Sequence, residues 1–160
     1  MNLPGVRSWE IHPALAHFPI ALLLAAVVAD LWTVFRRSET RSRAAAGLYV
    51  AGFLAALPTA AAGLLAWYTV PHAEAAHGLM IWHPLVALAS VILFAVLVVV
   101  RWRARGTPPS RPQRALAIGA ALLLGATGLL GGQLVFRRGV GVSTTMPPTR
   151  EDDHHGPVRP

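Results

Sequence analysis

The chain has 160 residues, 54% of them hydrophobic and 13% charged, with a mean hydropathy of +0.51. That is too little charge to cover a water-soluble domain, and the absence of cysteine excludes disulfides, thiol catalysis and CxxC haem attachment within the chain. The net charge of +7 rests on fourteen basic residues, all arginine, grouped in short segments beside apolar runs. Such grouping marks membrane topology rather than a nucleic-acid-binding face.

Four apolar runs, residues 14–35, 44–68, 81–100 and 115–136, each have the length that crosses a bilayer. They predict helices over about 13–35, 44–68, 79–102 and 114–136, an all-α four-transmembrane-helix bundle forming one domain over 1–142. The first run, "HPALAHFPIALLLAAVVADLW", is too long, and too poor in N-terminal positive charge, for a cleaved signal peptide. It carries His12 and His17 at its start and Asp30 near its end. Asp30 reads first as a helix-end carboxylate reaching the interface or pairing with an arginine, and second as a proton-relay or substrate group.

Arg36, Arg37, Arg41 and Arg43 follow in the first loop. Pro58 predicts a kink in the second run, with Thr59 satisfying freed backbone. The middle loop, "TVPHAEAAHGLM", has His72 and His77 but no arginine, and Met80 closes it. His83 opens the third run in "WHPLVA", and Arg101, Arg103, Arg105, Arg111 and Arg114 surround the third loop. The fourth run carries Gly119, Gly125, Gly128, Gly131 and Gly132, then Gln133. With Gly47, Gly52 and Gly63 of the second run, these predict tight packing of runs two and four. Residues 143–160 read as a charged, disordered tail holding His154 and His155.

Arginine-rich short loops belong in the cytoplasm, so both termini and the middle loop are expected outside, in a multi-pass protein of the bacterial inner membrane. Every histidine then falls on or near the outer face. Trp9, Trp67 and Trp82 mark the outer boundary, and Trp32 and Trp102 the inner one. Measured by helical rise from Arg36, Arg101 and Arg114, the residues His17, His83 and Gln133 each lie roughly 27–28 Å out. They form one layer, with His12 and His77 about 9 Å beyond it. A second register comes from an internal repeat. "IHPALA" opens run one and "WHPLVA" run three, as two parallel helix-pair repeats in which each HP pair also reads as a helix start with proline at the first position. The repeat pairs His12 with His83, whereas the arginine ruler pairs His17 with His83, and the residues leave both open.

The opening "HPALAHFPIALLLAAVVADLW" and the late "GGQLVFRRGVGV" resemble the bacterial membrane family DUF2231, over roughly residues 10 to 142. Family members share the starting His-Pro with HFPI, an aspartate near the end of the first helix, and a closing GG-x-LV-[YF] with GVGV. The resemblance implies a four-helix inner-membrane protein of unassigned activity. Some relatives appear joined to Rieske-type or cytochrome c domains, which implies redox work.

Facing imidazoles in a helical bundle suit a non-covalent haem b, with His17, His83, His12 and His77 as candidate cofactor ligands. Copper, zinc or iron is the alternative, with His72 and Met80 as added metal ligands. The expected partners are the lipid bilayer and an extracytoplasmic cytochrome or Rieske-type protein, with no nucleic acid. Nothing resembles a hydrolytic triad, a phosphate loop or a nucleotide site, so no catalytic residue is assigned. A redox accessory subunit is therefore the first functional reading. The other is a non-catalytic structural or assembly membrane protein, or a metal-handling one, whose histidines sit only at the interface.

Overall fold

The computed structural model describes residues 7–71 and 76–142; His72 and the tail 143–160, with His154 and His155, lie outside them. A 3-10 turn at Ser8–Glu10 leads into α1 (Ile11–Phe35), followed by α2 (Glu39–Thr69), α3 (His77–Arg103) and α4 (Arg111–Phe136). All four are long and apolar enough to cross a membrane, and the described residues contain no strand.

Caps explain why two helices start before their hydrocarbon does. The Ser38 hydroxyl accepts from the Arg41 amide at 3.4 Å, so α2 begins at Glu39 rather than 44. At α4 the Gln113 side chain accepts from the Ser110 amide at 2.9 Å, completing a capping box that moves the start from 114 to Arg111. The HP pairs are not both helix starts. Pro13 falls in the first turn of α1, but Pro84 is interior to α3. "HGLMIW" before it is helical in its own right, so α3 begins at His77 and tolerates one missing N–H.

Contacts run chiefly within the pairs α1/α2 and α3/α4, then between α2 and α3. Helices α1 and α4 meet only loosely. The predicted tight packing of α2 against α4 is not found; they stand on a diagonal and barely touch. An added Cβ at Gly47, Gly119, Gly125, Gly128 or Gly132 would meet nothing within 4 Å, so these glycines are not packing notches. Gly52 is one: its Cβ would lie 2.7 Å from the Leu23 side chain, which brings α1 and α2 together.

The core draws on all four helices, with Leu23, Ala26 and Val27 of α1 around Tyr49, Phe94, Leu97, Ala117 and Ala120. The internal repeat is visible in what is buried. Pro19, Leu23, Ala26 and Asp30 of α1 have as counterparts Ser90, Phe94, Leu97 and Arg101 of α3, each 71 positions later. The interior faces of α1 and α3 thus look at each other across the bundle, and each ends in a polar residue.

Candidate functional site

Two polar pairs join α1 to α3. His12 and His83 stand 71 positions apart, as do Asp30 and Arg101, and within each helix the two members are 18 residues apart. At the helical rise this spacing is about 27 Å, close to the ~30 Å thickness of the hydrocarbon core. The two pairs are thus about one hydrocarbon thickness apart, a spacing that suits the two boundaries of a span, where a polar side chain is least costly.

At the first boundary the rings of His12 and His83 are 6.2 Å apart between centroids, with planes at 84°. His12 Nδ1 lies 2.9 Å from the Thr59 carbonyl of α2. His83 Nδ1 lies 3.2 Å from the Thr127 carbonyl of α4. A carbonyl oxygen only accepts, so Nδ1 is the donor in both rings, and in neutral imidazole Nε2 keeps its lone pair. Metal-bound histidines are oriented by this same second hydrogen bond.

Local sequence makes those carbonyls reachable. A helical carbonyl already accepts from the amide four residues on, and the side chain there shields it. In "TAAAG" and "TGLLG" that residue is Gly63 or Gly131. A Cβ on Gly63 would sit 2.9 Å from His12 Nδ1 and Cε1. One on Gly131 would sit 3.2 Å from His83 Cε1. Each hairpin therefore repeats one device: a histidine, a threonine carbonyl and a glycine that admits the ring.

At the second boundary Arg101 donates from one Nη to Asp30 at 2.7 Å, to the Ser42 hydroxyl at 3.1 Å and to the Thr107 carbonyl at 2.9 Å. Both members of the ion pair are fully enclosed, at 0% and 1% exposure. Ser42 itself donates to the Thr107 carbonyl at 2.7 Å. Gly106, at φ +98°, makes the turn that brings this carbonyl back over the bundle end.

Of the sequence-derived candidates, His12 and His83 are brought together. The repeat register holds and the arginine ruler fails for a physical reason: it used Arg101 as an interfacial flank, whereas Arg101 is drawn into the core. His17 and His77 are exposed. Met80 is buried against Ala76 and Leu134 in a separate apolar cluster. Gln133 is half-buried. Asp30 pairs with an arginine, as its first reading held, though with one on α3 and not in the neighbouring loop. No group of three or more His, Cys, Asp or Glu able to hold a metal occurs among the described residues. Pattern reading passes over Thr127 and gives Thr59, Gly63 and Gly131 only backbone and packing roles; the shared T-x-x-x-G spacing is the signal that joins them.

The family model described as "Predicted membrane protein (DUF2231)" matches residues 9–144 and so spans all four helices. No curated protein and no solved structure matches the chain.

Proposed function

From a chain that belongs to the DUF2231 family of predicted membrane proteins, we propose a small redox accessory protein of the bacterial inner membrane that holds haem b through His12 and His83. The observation that carries this is the imidazole pair, with both Nδ1 atoms engaged by backbone carbonyls and both Nε2 atoms left to bind.

The number of donors favours haem among the candidate groups. His12 and His83 would suffice to hold a haem, which needs no further donor from the protein. A structural zinc takes four donors, and the described residues offer two here. Copper(I), which accepts two imidazoles, is the nearest competitor. When bound, haem supplies one-electron chemistry. The chain's own residues would do the rest: Thr59 and Thr127 fix the tautomer and orientation of each ring, and Gly63 and Gly131 give the rings room.

The arginine-rich loops, placed in the cytoplasm by the positive-inside rule, put both termini and the imidazole pair on the outer side. A site at that boundary is within reach of an extracytoplasmic cytochrome or Rieske-type partner. A second reading has its own support: each histidine is bonded within its own hairpin, to Thr59 or Thr127, so the pair also suits a fastening of α1 to α2 and α3 to α4. Occupancy separates them. Protein purified from cells given haem precursor, or from cells given copper, is expected to carry about one haem or one metal per chain. Empty protein under both conditions would leave the fastening role.

A further inference from the structure

At the arginine-rich end, the loosely joined helices α1 and α4 leave an open crevice of about 430 Å³. Leu31 and Val34 of α1 and Ala115 and Ile118 of α4 form apolar walls, and Arg111 and Arg114 stand in its lining. Both arginines belong to the first turn of α4, whose dipole adds positive potential. The Arg114 Nε is buried with no hydrogen-bond partner among the described residues.

No described carboxylate competes for these two cations. Among the described residues, Asp30 is engaged by Arg101 and Glu39 by Arg43, while Glu10 sits in the turn before α1 and accepts from the Arg7 amide. A crevice with hydrocarbon walls and two uncompensated guanidiniums at the level of a helix start matches a lipid with an anionic head. Basic pockets between transmembrane helices bind such headgroups.

We propose that this crevice binds an anionic phospholipid of the adjoining leaflet, its phosphate against Arg111 and Arg114 and one acyl chain along Leu31, Val34, Ala115 and Ile118. Uncharged and zwitterionic lipids wet the remaining surface without this preference. The site is independent of the imidazole pair at the opposite boundary.

Native mass spectrometry of the full chain in mild detergent tests it, with phosphatidylglycerol and phosphatidylcholine of identical acyl chains at equal concentration. The wild type should retain phosphatidylglycerol preferentially. R111Q/R114Q should weaken that retention about thirtyfold, roughly fivefold for each basic residue near the surface. R36Q/R37Q, at the same end but outside the crevice, should leave it unchanged. Ile118→Trp fills the acyl slot with both arginines intact and should also lose the lipid, which covers the case of a misfolded double variant. Equal retention of the two lipids would overturn the proposal. So would an undiminished signal in either crevice variant, or displacement of the lipid by equimolar inorganic phosphate.

Discussion

The two ends of the bundle use the same repeat-related pairing of α1 with α3 for different purposes. At one end the repeat places like residues face to face, His12 and His83; at the other it places opposite charges, Asp30 and Arg101. The ion pair is turned inward: one Arg101 nitrogen serves α1, α2 and the loop after α3 at once, while Asp30 Oδ2 and Arg101 Nε are buried without a partner among the described residues. The imidazoles spend one nitrogen each on the fold and keep the other. A buried charge pair rivets helices, whereas a half-satisfied histidine pair is an opportunity for chemistry. That difference makes the ion pair the stronger fastening and leaves the imidazole pair, in the proposed reading, as the place for a cofactor.

The largest expected effect lies at the rivet. Asp30→Leu or Arg101→Leu alone leaves a buried charge unpaired and should cost about 3–5 kcal/mol, seen as unfolding at lower denaturant. Removing both charges together should recover most of that loss, because the surviving cost is packing rather than an orphan ion. Single variants as stable as the wild type would remove the assignment of the ion pair as the rivet.

A smaller effect of reversible sign sharpens the comparison at the other end. Gly63→Ala pushes a methyl to 2.9 Å from the His12 ring and should destabilise by about 1–3 kcal/mol, as overpacking does. Gly128→Ala meets open space and should stabilise by about 0.5–1 kcal/mol, the usual helix-interior gain over glycine. Unfolding of the two variants side by side reads this. Equal effects would mean that Gly63 is not there to admit an imidazole.

Length and hydropathy made the four spans legible, because a bilayer imposes one segment length on every helix. The family signatures were equally legible, since they cluster at the first and last helices. What the residues could not convey was rotation about each helix axis. Gly63 and Gly128 look alike in the sequence, yet one presses on a ring and the other faces open space. Arg101 looked like one more flanking arginine because burial of a charge depends on its partner, and Asp30 lies 71 positions away. His17 looked as good as His12 by depth alone; only the repeat carried the rotational information that His12 and Asp30 share the inner face of α1.

The most direct measurement is the bound cofactor of four single variants purified alongside the wild type, each checked for insertion and a monodisperse profile. His12→Ala and His83→Ala should lose the Soret band, or bring bound metal to background, while His17→Ala and His77→Ala keep wild-type spectra and occupancy. Retention of the cofactor in both His12→Ala and His83→Ala, or its loss on replacing His17 or His77, would contradict the assignment of the imidazole pair as the functional centre.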